Sequence, residues 1–153
     1  MISRKSLTVA VLGLLLAIAP SAIRAGDYVP FKAEMSELTR EFEPGKGKVL
    51  GTFTQTFEGT GTHIGKFSSS GTTTLTWIGS DLWFEGQGVM VAADGDKLFF
   101  DSFGWAWDGN GEGWFEITGG TGRFEGATGS GTLFVSMGDD GVQSAVYDGR
   151  LTR

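Results

Sequence analysis

Residues 117–133 read ITGGTGRFEGATGSGTL, with six glycines between Gly119 and Gly131. Such a run either cradles a phosphate or lets a β-sheet turn a corner. A dinucleotide loop needs G-x-G-x-x-G between a strand and a helix, and a Walker loop needs Gly-Lys followed by Ser or Thr. Gly120-Thr-Gly122-Arg-Phe-Glu-Gly126 has neither spacing, and strand-like residues follow it. Glycines also permit tight bends and bulges where a barrel turns. The corner reading therefore fits, with Phe124 plugging a barrel end as the chain returns.

The flanking sequence agrees. After Gly47, alternating segments are separated by Gly and Asp turns at about ten-residue spacing, the pattern of a sandwich or barrel. In Val49–Phe57, Val49, Gly51, Phe53 and Phe57 share one face, and Thr52, Thr54 and Thr56 share the other. Successive strand residues alternate sides, so this strand has one wet face. Thr72, Thr74 and Thr76 repeat the threonine face opposite Leu75 and Trp77. Phe99, Phe103, Trp105 and Trp107 form an aromatic face, and Phe115, Ile117, Leu133, Val135 and Met137 are expected to point inward. Strands are predicted near 48–57, 61–69, 72–78, 83–92, 97–107, 112–118, 128–137 and 143–152, with an additional one around 28–34. Residues 33–42 suit either a helix or the end of that first strand. Asp, Asn and Gly accept positive φ, which makes 93–96, 108–111 and 138–141 hairpin turns. The fold class expected is all-β, an eight-stranded antiparallel up-and-down barrel, a closure that removes sheet edges. An outer-membrane barrel needs an apolar exterior, which the threonine ladders contradict.

At the N-terminus, Arg4 and Lys5 precede a twelve-residue apolar run from Leu7 to Ile18, then Pro20 and Ala25. This is the charge, apolar and small-residue order of a secretory signal peptide, too short for a membrane span. The expected organisation is a signal peptide over 1–25 and one barrel domain over 26–153, in a periplasm or outside the cell. Cleavage after Ala25 would remove Arg4, Lys5 and Arg24 from the twelve basic residues, leaving nine against eighteen acidic. That balance disfavours nucleic acid or an anionic membrane as the main partner. With no cysteine, the exported chain has to be held by packing and backbone pairing.

The residues Thr118-Gly119-Gly120-Thr121-Gly122-x-Phe124-Glu125-Gly126-x-x-Gly129 resemble the glycine-rich segment of plant allene oxide cyclases. The same stretch is similar to that of dirigent proteins through Gly119-Gly120-Thr121-Gly122-x-Phe124-x-x-Ala127-x-Gly129. Bacterial secreted proteins carry it too, and Thr62-His63-Ile64-Gly65-Lys66-Phe67 resembles a second element of that group. The resemblance implies an eight-stranded barrel with an apolar lumen and a homo-oligomer, usually a trimer. It carries no activity across. The cyclase's conserved cysteine has no counterpart here, and no catalytic residue of either family can be placed.

Several polar residues stand out against this frame. His63, the only histidine, alternates onto the face of Gly65 and Phe67, taken as the inner one, which makes it an acid, base or ligand contact or a satisfied core histidine. Asp101 lies between Phe99 and Phe103; inside a lumen it would be a perturbed carboxylate, unless a strand irregularity turns it outward or it pairs with an arginine such as Arg123 or Arg150. Tyr147 shares a face with Ala145 and Leu151 and would add a hydroxyl. The expected ligand contacts are thus His63, Asp101, Tyr147, Phe67 and Phe103. No cofactor or metal is expected. A lone histidine without cysteine disfavours a zinc site, since three or four N, S or O ligands must converge, and the twelfth position of the calcium-like run from Asp108 is Gly119. Three functions stay open: a barrel binding a small apolar ligand, an isomerase or cyclase on such a ligand, and a structural barrel with a filled core.

Overall fold

A computed structural model describes residues 28–152, so the expected signal peptide lies outside the described residues. Eight antiparallel strands run in chain order: β1 (Tyr28–Pro44), β2 (Val49–Gly61), β3 (Gly65–Ile78), β4 (Asp81–Ala92), β5 (Lys97–Trp107), β6 (Asn110–Gly120), β7 (Gly129–Met137) and β8 (Gln143–Thr152). Each pairs with the next, and β8 returns to β1, closing the barrel. The architecture is the expected one. Its strand count is reached differently. Residues 65–69 of the predicted segment 61–69 join the segment 72–78 in one continuous β3, because Ser68-Ser69-Ser70-Gly71 stays in the ladder opposite Gly88 to Val91 instead of turning. The N-terminal strand is β1, and it absorbs the ambiguous 33–42 region.

Register decides which side chains enter the barrel. Phe31, Ala33 and Met35 of β1, Leu98 and Phe100 of β5, Phe115 and Ile117 of β6, and Tyr147 and Leu151 of β8 are buried inside. Fully burying each large apolar side chain contributes about 1.5–3 kcal/mol, so this interior is the fold's main source of stability. One expected face is reversed. On β5 the bulky Phe99, Trp105 and Trp107 are exposed, while Leu98, Phe100, Ser102 and Gly104 are the buried set. The reason is steric. Gly104 faces Gly113 across the β5–β6 ladder, and a Cβ on Gly113 would lie 2.7 Å from the Gly104 Cα. The two strands bend too closely there for a bulky inward row.

The glycine run closes one end of the barrel. β6 ends at Gly120, Gly122–Phe124 form a short 3-10 turn, and β7 starts at Gly129. Phe124 is fully buried, and its carbonyl accepts the N–H of the buried Ala127 at 2.9 Å. Gly122 adopts φ 58°, a left-handed conformation costly for a residue with a Cβ. The turn is tied to the β4–β5 hairpin. Arg123 pairs with Asp94 and Asp96, its backbone N–H donates to Asp96 Oδ2 at 3.0 Å, and its guanidinium stacks 4.6 Å from the Phe124 ring centroid. The run is therefore a sealed corner. At the opposite end, the β5–β6 hairpin turns on Asp108 (φ 46°) and Gly109 (φ 78°), the positive-φ pair of a two-residue primed turn.

Candidate functional site

Away from the sealed end the interior is not filled. A cavity of about 300 Å³ runs down the lumen, and its mouth is ringed by Leu50, Leu82, Trp107, Asn110, Met137 and Gln143. Its walls carry Phe53, Phe57, Phe84, Phe100, Leu133 and Tyr147, with Gln55, Ser69, Thr73 and Ser102 as polar points. Apolar walls with a few placed polar groups, at the lower end of the usual volume range, describe a small-molecule pocket.

Tyr147 occupies the inner part of this space. The residue is 3% exposed, and its ring is held edge-on by Phe100 and Phe115 at centroid distances of 5.5 and 5.1 Å. The residue borders the cavity, and its hydroxyl is open to that space rather than sealed in the core. Burial pushes its pKa far above the usual 10.0. The group therefore stays protonated and is a donor aimed into apolar space. Facing the cavity, it can donate to a ligand acceptor, a hydrogen bond worth about 0.5–1.5 kcal/mol net.

A second polar group sits near the mouth. The β1–β2 register slips between Glu37 and Thr39, so the bulge at Leu38 turns both Glu37 and Arg40 toward the interior. Arg40 Nε donates to Glu37 Oε1 at 2.7 Å and its terminal nitrogen to Oε2 at 2.5 Å. The Gln55 amide donates to Glu37 Oε1 at 2.7 Å and to Gln143 Oε1 at 2.9 Å. Burial pushes the Glu37 carboxyl up, but Arg40, Gln55 and the Gln143 N–H together outweigh it and hold the group below its usual 4.5. This network bridges β1, β2 and β8 where the β1–β8 ladder ends at Ser36 and Ser144. It braces the rim, and the Arg40 guanidinium also lies 5.7 Å from the Phe53 ring centroid.

Replacing Glu37 by Gln is expected to destabilise the barrel by about 1.5–3 kcal/mol, the range for hydrogen bonds to charged groups. The sign with pH follows from the lowered pKa. The Glu37 contribution is complete above 4.5 and is lost as pH falls through the folded-state value below it. Melting curves between neutral and acidic pH should show the wild type losing more stability than Glu37→Gln in that window. Parallel acid profiles would rule the network out as the cause.

The five residues expected at the site are scattered. Tyr147 lines the cavity. Phe67 points inward and is buried, but it borders no part of the cavity and packs with the core. His63 is exposed in the β2–β3 turn at φ 66°, with Nε2 3.1 Å from the Pro30 carbonyl. Its alternation with Phe67 is broken, because the turn spans Thr62 to Ile64 and β3 begins only at Gly65. Asp101 and Phe103 lie on the outer face of β5, a consequence of the reversed register. The sequence reading missed Gln55, Ser69 and Ser102. Gln55 was readable, since it alternates with Gly51, Phe53 and Phe57. Glu37 and Arg40 were not, because their shared direction depends on a bulge that leaves no periodic trace.

Three solved structures share this architecture. A pterocarpan synthase dirigent protein aligns with a TM-score of 0.60 and 16% identity, over 84% of this chain and 96% of its own. The fold is that of a dirigent-like barrel. A second pterocarpan synthase dirigent protein aligns at 0.51 with 18% identity, covering 82% of this chain and 84% of its own. A pyocyanin demethylase aligns at 0.55 with 13% identity, over 78% and 99%. No family model and no curated protein sequence matches the chain. The likeness of this dirigent-like barrel to these structures is one of fold, and identities this low carry no residue role across.

Proposed function

We propose that this chain is an exported binding protein whose lumen takes one small, largely apolar molecule bearing a hydrogen-bond acceptor. The observation that carries this reading is the Tyr147 hydroxyl, protonated and facing a cavity of about 300 Å³ whose walls are mainly apolar. Aromatic walls supply affinity by burial, and Tyr147 orients the ligand. Ser102 and Ser69 add shorter donors on the β5 and β3 walls. Barrels of the same fold named for pterocarpan synthesis and pyocyanin demethylation support small molecules as the class of occupant.

The test uses naphthol, an aromatic of suitable size with one hydroxyl. Calorimetry should show saturable binding to the wild type. Tyr147→Phe, which keeps the ring, is expected to weaken it about tenfold, the worth of one buried hydrogen bond. Ser102→Phe, which places a ring in the cavity, should abolish it while the protein stays folded. Equal affinity in all three proteins would remove the lumen as the site.

Export is part of the same reading, supported by the charged, apolar and small-residue order of residues 4–25. N-terminal sequencing of protein recovered outside the cytoplasm should begin at or near Gly26. Recovery of only the intact, membrane-bound Met1 form would contradict it.

A further inference from the structure

The outer face of the barrel carries a second feature, remote from the lumen. Trp83, Phe103 and Trp114 lie side by side on neighbouring strands β4, β5 and β6. Their ring centroids are 6.3 and 6.0 Å apart, and successive planes are inclined by only 29° and 30°. Trp114 is 49% exposed. Three large rings in a row on the outer sheet face, Trp83 and Phe103 half-buried and Trp114 exposed, form an aromatic patch of the kind that marks an interaction surface.

Carboxylates interleave with the rings. Glu85 accepts the Trp83 indole N–H at 3.1 Å, and it stands directly opposite Phe103 in the β4–β5 ladder. Asp101 stands directly opposite Glu116 in the β5–β6 ladder, and both are exposed. Like charges at directly opposed positions are destabilising. None of these three carboxylates has an ion-pair partner among the described residues. Strands β4 to β7 contain a single basic residue, Lys97 at the start of β5. The face is thus aromatic and acidic, and a cation placed between Asp101 and Glu116 would offset their repulsion.

We infer that this face binds an extended, arginine-rich segment of a partner protein. A guanidinium stacks on an aromatic face and at the same time donates to a neighbouring carboxylate, and Glu85 beside Phe103 offers that combination. Alternate side chains of an extended chain repeat every ~6.6–6.8 Å, close to the ring spacing, so such a segment lying across the strands sets one arginine on each ring. A small cation would cover one ring and leave the others. A second copy of this chain brings the same carboxylates against each other, and its net charge of −6 opposes that stacking.

The test uses a synthetic heptapeptide of alternating serine and arginine with three arginines, measured by calorimetry against the whole chain. Binding is expected at low salt and should weaken at least about tenfold toward molar salt, where screening acts within about 3 Å. Phe103→Ala and the double change Asp101→Asn with Glu116→Gln should each weaken it about fivefold to tenfold, in the range of a partly desolvated cation–ring contact. The double variant should melt no lower than the wild type, because a repulsion has been removed. Ser102→Phe, inside the lumen, should keep peptide binding, which separates this face from the ligand site. Four results would overturn the inference: no binding of the arginine peptide at low salt, equal affinity in the face variants, self-association through this face in sedimentation that Trp114→Ala abolishes, or binding of a neutral oligosaccharide in place of the peptide.

Discussion

Gly122→Val is expected to give the largest loss of stability of any single change in the sealed corner. Two effects act together. The backbone there sits at φ 58°, which a β-branched residue adopts at a cost of about 1–3 kcal/mol. A side chain at this position would also run into the Asp96 carboxylate, the group that accepts the Arg123 N–H and pairs with its guanidinium. Displacing it leaves a charge-assisted bond unmade, worth about 1.5–3 kcal/mol. The joint loss, roughly 2.5–6 kcal/mol on those two ranges, would lower the melting temperature by about ten degrees or more for a chain of this size. Gly122→Asn separates the two effects, since asparagine tolerates a left-handed backbone better but still meets Asp96. It should recover only the conformational part. A wild-type melting temperature in Gly122→Val would mean that the corner does not hold the barrel shut.

Phe115→Ala should cost nearly as much, and its consequence reaches the ligand site. Phe115 is fully buried, 6.0 Å from Phe31 and 5.1 Å from Tyr147 between ring centroids. Truncating a buried phenylalanine to alanine loses about 3–5 kcal/mol through lost burial and the cavity left behind. It also removes one of the two rings that hold Tyr147 edge-on. Denaturant unfolding should therefore show a lower midpoint with an unchanged slope. Naphthol affinity, corrected for the folded fraction, should fall because the hydroxyl is no longer pre-positioned. Full stability would place Phe115 outside the core. Unchanged affinity in the folded fraction would show that Tyr147 needs no support from this ring.

These expectations rest on features that were unequally legible in the sequence. The glycine run, the threonine ladders and the Asp-Gly turns follow from backbone sterics and alternation, which act locally, and they sufficed for a closed antiparallel barrel. The inward direction of β5 did not follow. Bulk pointed to Phe99, Phe103, Trp105 and Trp107, whereas the register is settled by the opposed Gly104 and Gly113 on two strands. That is a pairing no single segment reveals. Asp101 followed β5 outward, and its interest moved with it from the lumen to the exterior. His63 was misplaced because the turn falls at Thr62 to Ile64, inside the segment 61–69 that the alternation made a strand. Tyr147 was placed correctly because β8 has an uninterrupted alternation from Ala145 to Leu151. Glu37, Arg40 and Gln143 converge only through a bulge and the closure of the barrel, and both are long-range events.

The most direct measurement is a crystal structure of the chain grown with naphthol. Electron density for the naphthol rings is expected within the lumen, between Phe84, Phe100 and Leu133, with its oxygen at hydrogen-bonding distance from the Tyr147 hydroxyl. Naphthol found only on the outer aromatic face, with an empty lumen and Tyr147 unengaged, would contradict the account.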